Sequence, residues 1–237
     1  MKYGLSVVFI LFSIQFVNAQ LFSKERVLNN ENFDKAKLSY GYYLGFNVYD
    51  FNVDYYTNVE DIQVLKSTGF NVGLLGNIRI NDYIDIRLEP GLVISRRELN
   101  YSETYFAGIG FEDKDLIREI QSTFIHLPLL VKFSSKRINN IKPFVVGGIS
   151  TALNLSSQED SPDDNSNGVF RVRKNNLYYE LGFGIDLYMA WFKFTPSIRG
   201  VFSMQDEVIK DIDPDSPWTQ NISQMQTRGL FINFTFQ

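Results

Sequence analysis

The chain has 237 residues, no cysteine and a formal net charge of -4 at pH 7. These values exclude a disulfide framework and a thiolate metal site, and they provide no basic surface of the kind that nucleic acid requires. Aromatic residues make up 15% of the chain, with 21 Phe and 13 Tyr against 2 Trp, which favours β-strands that carry large side chains.

The N-terminus has the pattern of an export signal. Lys2 precedes an apolar stretch from Leu5 to Val17, and the small residue Ala19 follows it. The stretch is too short for a membrane-spanning helix, which needs about 20 apolar residues. We therefore predict a signal peptide over residues 1–19 that is cleaved near Ala19, a periplasmic N-terminal segment over 20–38, and one domain over 39–237.

The rest of the chain alternates apolar and polar residues with a period of two. In the stretch LYYELGFGIDLY, Leu177, Leu181 and Phe183 share one face, while Glu180 and Asp186 share the other. This period is that of a β-strand whose two faces meet different surroundings. Eight such segments are predicted, over residues 39–49, 64–80, 83–98, 119–134, 142–156, 175–189, 191–204 and 225–237.

The connections between these segments alternate between short turns and long polar loops. Together with the even number of strands, this predicts an all-β fold, an eight-stranded antiparallel transmembrane β-barrel of the outer-membrane type, with lipid as a partner and the short turns facing the periplasm. The alternative is a soluble eight-stranded ligand-binding barrel, whose apolar face would point inward. The last strand ends at Phe236, one residue before the end of the printed chain, which is similar to the signal read by the barrel-assembly machinery.

Charges of both signs share the face opposite the apolar one. Since an eight-stranded barrel is only wide enough to be filled by side chains, we expect them to pair inside it and to leave no wide channel. The predicted lumenal network comprises Arg79, Asp85, Arg87, Glu89, Lys132, Glu180, Asp186, Lys193 and Arg199.

Motifs for chemistry are scarce. His126 is the only histidine, so it is the one candidate base for a lipid-modifying enzyme, and a hydrogen-bonded lumenal histidine is the alternative. The stretch DDNSNG places Asp163, Asn165 and Asn167 at calcium-loop spacing, but Lys174 stands where such a loop requires an acidic ligand. We expect no enzymatic activity, no cofactor, no metal and no small-molecule substrate.

The last long loop is acidic and carries a tryptophan between prolines. Because a large aromatic beside charges is a frequent interface anchor, this loop is the candidate partner surface. The alternative is that the tryptophan lies at the membrane interface or folds over the lumen mouth. The candidate residues are Asp211, Asp213, Asp215 and Trp218.

Several stretches resemble the PorT family. They are RVLNNENFDKAKLSYGYYLGFNVYDF after the signal, FIHLPLLVKF and KPFVVGGISTALNLSS in the middle, and TPSIRGVF with DPDSPWTQNISQMQTRGLFINFTFQ at the end. The resemblance implies a non-catalytic outer-membrane component required for protein export by the type IX secretion system, and for gliding motility where it is present. It also implies other secretion components as protein partners.

Two other functions stay open from the residues alone. One is an independent small barrel that serves adhesion or envelope integrity. The other is a lipid-modifying barrel enzyme that uses His126. For the secretion component, contacts are expected at the long loops or at the segment from Gln20 to Lys37.

Overall fold

The computed structural model describes residues 28–57 and 59–237. Ten β-strands in these ranges form one sheet in which every pair of neighbouring strands is antiparallel. They are β1 Leu38–Tyr55, β2 Gln63–Lys66, β3 Thr68–Arg79, β4 Ile84–Leu88, β5 Gly91–Asn100, β6 Ile117–Ser134, β7 Ile141–Asn154, β8 Asn175–Tyr188, β9 Lys193–Ser203 and β10 Ile222–Phe236.

The sheet closes into a barrel with eight positions in its wall. Strand β1 pairs with β10 on one side, from Tyr42 onwards, and with β3 on the other, so the ring is closed between the first and last strands. Strands β2 and β3 together occupy one position of the wall, and β4 and β5 occupy the next. The predicted all-β, eight-stranded antiparallel barrel is confirmed.

Both interruptions of the wall have local causes. Between β2 and β3 the pairing register with β5 shifts by one residue at Ser67, from Lys66↔Arg97 to Phe70↔Ile94, as in a β-bulge. Between β4 and β5 lies Pro90, which has no backbone N–H to donate to a neighbouring strand.

The two ends of the barrel differ in the length of their connections. One end, called the turn end, carries residues 80–83, 135–140 and 189–192. The other, called the loop end, carries residues 56–57, 59–62, 101–116, 155–174 and 204–221, and three short 3-10 helices lie in these loops: Glu103–Phe106, Asp113–Leu116 and Asn165–Asn167. A fourth, Glu31–Lys35, precedes β1 at the turn end. Among residues 28–57 and 59–237, no helix has the length and apolar character needed to cross a membrane.

The wall reverses its polarity along its length. Over most of its height apolar side chains such as Leu74, Leu181 and Phe183 are exposed on the outside, while polar groups are buried inside. Towards the loop end the outward residues become polar, as at Arg96 and Glu119, and the inward ones become apolar, as at Leu99.

This reversal explains the largest error in the predicted boundaries. Strand β1 was expected to end at residue 49, but it continues to Tyr55. Its outward residues beyond that point include Asn52 and Asp54, which break the apolar pattern although pairing with β10 continues. The strand continues where its outer face has become polar, so hydropathy alone ends it too early.

The predicted signal peptide over residues 1–19 and its cleavage near Ala19 lie outside the described residues. Residues 28–37 are described and lie at the turn end of the barrel, where Asn29 contacts Asn140 and Tyr188. The assignment of 20–38 to the periplasm stays a prediction.

Candidate functional site

Inward-facing glycines make room for two buried tyrosines on β1. A Cβ added to Gly91 would lie 2.1 Å from the Tyr43 hydroxyl oxygen, and one added to Gly229 would lie 2.6 Å from the Tyr49 ring. Both tyrosines are buried, and the Tyr43 hydroxyl donates to the carbonyl of Glu89 at 3.3 Å. The glycines therefore allow large rings to fill a narrow bore.

A central charge cluster lies on the inner face of four strands. Arg199 on β9 contacts two carboxylates at once, with Nη1 2.8 Å from Glu89 Oε2 and Nε 2.8 Å from Glu180 Oε2. Glu89 also faces Arg87 Nε at 3.4 Å, and Glu180 faces His126 Nε2 at 2.9 Å. Glu89 thus lies between Arg199 and Arg87, and Glu180 lies between Arg199 and His126. All five side chains are buried.

A second cluster lies nearer the turn end and is centred on Asp186. One of its carboxylate oxygens accepts from Lys132 Nζ and lies 3.9 Å from Lys193 Nζ, while the other accepts from Thr195 Oγ1 at 2.8 Å. Asp85 is the cross-strand neighbour of Lys132 and is also buried. The Lys132 ammonium additionally lies 4.1 Å from the centre of the Phe144 ring, which provides a cation–π contact.

The structure thus brings eight of the nine predicted lumenal charges into the buried interior, and Arg79 differs. Its guanidinium pairs with Asp82 in the turn after β3, and the Asp82 side chain is largely exposed. Arg79 is the last residue of β3, so it reaches the turn rather than the buried carboxylates. The expectation that it pairs within the lumen is corrected accordingly.

A further buried cation was missed by the sequence reading. Arg97 on β5 donates to Thr227 Oγ1 at 2.9 Å and to Ser122 Oγ at 3.2 Å, and it lies 3.8 Å above the Phe51 ring. Thr227 in turn donates to Glu207, which enters the barrel from the loop between β9 and β10. Arg97 could have been found because it shares the inward parity of Val93 and Leu99, whereas Glu207 follows no strand pattern.

The loops close the loop end with a hydrophobic core of their own. Residues from the ends of several strands and from all four loops form it, and the set is Phe51, Ile62, Leu99, Tyr101, Phe106, Ile120, Phe170, Val172, Val208, Ile222 and Met225. The loops are therefore folded against each other over the end of the barrel. We call this part the loop cap.

Two of the four candidate partner residues are part of this loop cap. The Trp218 indole N–H donates to the carbonyl of Asp115 at 2.8 Å, and its ring packs edge-on against Phe106 at 5.3 Å. Asp211 is buried and accepts hydrogen bonds from Ser216, Thr219 and Asn165. The Trp218 ring is therefore partly buried and folds over the lumen mouth. Its role in binding a partner stays a prediction.

The other two candidate residues, Asp213 and Asp215, remain exposed on the outer surface of the cap. Between them lies Pro214, which is also exposed. The surface that this loop offers to solvent thus includes a short acidic turn, held from below by Asp211 and Trp218 and preceded by the exposed Ile212.

The stretch DDNSNG forms a structural turn. Asn165 is buried, donates to Asp211 at 3.0 Å and accepts from Arg118 Nε at 3.2 Å. Asp164 accepts from Ser166, and these hydrogen bonds lower the pKa of its carboxyl group. Across the two described ranges, no group of three or more His, Asp or Glu side chains is arranged to hold a metal ion.

At the turn end, residues 28–37 lie against the connections of the barrel, and we call them the mouth segment. Arg137 in the turn between β6 and β7 binds it by donating to the carbonyl of Asn29 and to Asp34 Oδ2, the latter at 3.1 Å. The same guanidinium lies 3.8 Å above the Tyr188 ring, and the Tyr188 hydroxyl donates to Asp34 at 2.6 Å.

The mouth segment also reaches the turn-end charge cluster. The Phe33 ring lies 4.4 Å from Lys193 Nζ and packs edge-on against Tyr188 at 6.3 Å. Phe33 and Asp34 line a small cavity with Asp85 and Lys193 beneath them. The segment therefore covers this mouth as the loop cap covers the other.

The central cluster generates a stability prediction. Arg199→Leu removes the cation between Glu89 and Glu180, so the free energy of unfolding should fall by about 3–5 kcal/mol, as when a buried pair loses one partner. Denaturant unfolding of the refolded barrel in detergent measures this. The matched control is Arg96→Leu, whose partner Glu119 is half exposed and whose loss should cost about 0–1 kcal/mol. Equal midpoints for both variants would contradict a paired interior.

The mouth segment generates a second prediction. Arg137→Ala removes its main attachment, so amide hydrogen exchange over residues 28–37 should become about tenfold faster, which corresponds to about 1.4 kcal/mol of lost local stability. The amide of Asn29, which donates to Asn140 Oδ1 at 2.9 Å, is the most direct reporter. Lys136→Ala in the same turn is the control. Unchanged exchange in Arg137→Ala would mean that this arginine does not hold the segment.

Solved structures similar in fold include OprG from Pseudomonas aeruginosa, at 11% identity and a TM-score of 0.49, over 85% of this chain and 95% of that chain. Neisserial surface protein A matches at 9% identity and a TM-score of 0.41, over 84% of this chain and 98% of that chain. Ail of Yersinia pestis, in complex with a heparin analogue, matches at 12% identity and a TM-score of 0.38, over 85% of this chain and 99% of that chain.

No curated protein matches the sequence. Residues 18–208, which are most of the chain, match the model of the family described as the outer membrane protein beta-barrel domain. The polar lumen and the apolar outer wall are those of such a barrel in its membrane. The chain therefore belongs to the outer-membrane protein β-barrel family.

Proposed function

We propose that this protein is a non-catalytic outer-membrane component of the type IX secretion system, which supports protein export and, where present, gliding motility. The proposal rests on the resemblance of its terminal and central stretches to the PorT family. The observation that supports it best is the filled interior. A barrel whose bore is occupied by paired charges and covered at both ends is suited to hold other proteins rather than to conduct cargo.

The ends of the barrel are the surfaces through which such a component would act. At the loop end, the acidic turn from Asp213 to Asp215 projects from a folded cap, so it can be bound without first being ordered. We propose that this turn contacts another secretion component at the cell surface, and that the short turns face the periplasm.

A lipid-modifying enzyme fits the geometry less well. His126 is buried on the inner face of β6, where it faces Glu180 and packs against Tyr178 and Phe231. A lipid substrate approaching from the membrane would meet the outer face of the wall. A general base must come within hydrogen-bond reach of its substrate, and this histidine is enclosed by its neighbours.

The proposal is tested by changing only the exposed part of the partner loop. Replacing Asp213, Pro214 and Asp215 with Gly-Ser-Gly keeps Asp211 and Trp218, so the loop cap should stay folded while type IX secretion is lost. The control replaces Asp160 and Pro162, which are exposed on the neighbouring loop, by glycine and serine. Secretion is measured in the native bacterium by analysis of the secreted proteins, with heat-modifiability as the check on folding.

Two results would count against the proposal. Normal secretion from the loop variant at normal abundance would show that the acidic turn is not the partner surface. Normal secretion after deletion of the whole gene would show that the protein has no role in secretion. The second result would favour the independent barrel for adhesion or envelope integrity. The folded, acidic loop cap is the observation that keeps this alternative open.

A further inference from the structure

The wall of the barrel has a notch at the turn end of the seam between β1 and β10. Strand β10 ends at Phe236, which pairs with Tyr42, whereas β1 begins four residues earlier at Leu38. In their backbone pairing, residues 38–41 of β1 therefore have β3 as their one partner strand, while the Gln237 side chain donates to Ser39 Oγ at 3.2 Å. On the other side, Gln237 pairs by backbone hydrogen bonds with Lys193 at the start of β9.

The notch forms an open groove of about 620 Å³ with aromatic walls on the outer face of the barrel. Tyr40 and Tyr42 form one wall and Phe192 the other, while Phe236 lies between them. The Phe236 ring stacks on Tyr42 at 5.3 Å and approaches Phe192 at 6.1 Å. These contacts keep Phe236 partly buried while the Tyr40 side chain stays 69% exposed.

The position of the groove decides what occupies it. Its walls continue the outward row of Leu44 and Phe46 on β1, so it opens onto the surface that faces lipid in this family. The overhanging edge of β1 has backbone groups that β10 does not reach, and such an edge is compatible with a membrane only at the depth of the polar head groups.

The position of Trp191 also places the groove at the depth of the lipid head groups. It lies in the turn directly before Phe192 and its side chain is 92% exposed. Tryptophan and tyrosine collect at the membrane interface because their rings are apolar and carry one polar group. The groove thus has an apolar floor at the edge of the hydrocarbon and a polar rim above it.

We infer that this groove binds one phospholipid of the turn-end leaflet, with an acyl chain between Tyr40, Tyr42 and Phe192 and its head group at the overhanging edge of β1. The inference does not depend on the secretion role. It rests on the outer wall facing the membrane and on the proposed orientation, in which the short turns face the periplasm. Elsewhere on the wall the lipids exchange freely, whereas the notch holds one lipid at a defined position.

Native mass spectrometry of the protein extracted from outer membranes in mild detergent tests the inference. The wild type should retain one phospholipid per barrel. The double variant Tyr40→Ala/Phe192→Ala should retain about tenfold less, which corresponds to about 1.4 kcal/mol. The matched control is Leu181→Ala/Ile149→Ala, which removes two exposed lipid-facing side chains on β8 and β7, away from the seam, and should retain the lipid.

A second measurement separates the possible occupants. A photocrosslinking amino acid at position 40, activated in intact outer membranes, should give an adduct of phospholipid mass. An adduct to a polypeptide or to lipopolysaccharide would overturn the inference, since the groove would then hold a protein or face the other leaflet. Absence of a retained phospholipid in the wild type, or equal loss in both double variants, would also overturn it.

Discussion

The rest of the barrel depends on the pairing of buried charges in its bore, and the contacts of Arg199 with Glu89 and Glu180 are the centre of that pairing. A wall that faces lipid must direct its polar side chains inward, and eight strands enclose a bore no wider than those side chains. Every charge placed there is removed from water, so it is tolerated only beside an opposite charge or a hydrogen-bond partner. The two clusters, one around Arg199 and one around Asp186, satisfy this requirement at two heights of the bore.

The same constraint explains both ends. Beyond the apolar band the outer face becomes polar, and the inward positions are then free to carry apolar groups such as Phe51 and Leu99, on which the loops fold. At the other end the mouth segment covers the turn-end cluster, and Arg137 joins it to the wall. A barrel that is filled along its axis and covered at both mouths offers its ends and its outer wall as binding surfaces. This is the physical reason for proposing contacts with proteins at the loops and with lipid at the seam.

Much of this architecture could be predicted from the sequence, because a period of two assigns each residue of a strand to one face. That rule predicts Glu180, Asp186 and Arg199 on the inner face, where all three are buried. It failed where residues leave the strand pattern. Arg79 stands at a strand end, where the turn offers a nearer partner, and Trp218 and Glu207 belong to loops whose direction is decided by tertiary packing. Tyr55 marks a boundary that hydropathy misplaced, since strand pairing continues beyond the apolar band.

The central claim is that the interior is closed along its whole length. Ion conductance of the purified barrel in a planar lipid bilayer tests it most directly, with the wild type compared with a variant that lacks residues 28–37. Because the clusters fill the bore beneath the mouth segment, neither protein should produce stable conductance steps above the bare bilayer. Stable steps from the wild type would contradict the account, and steps from the truncated form alone would show that the mouth segment, rather than the charge clusters, closes the barrel.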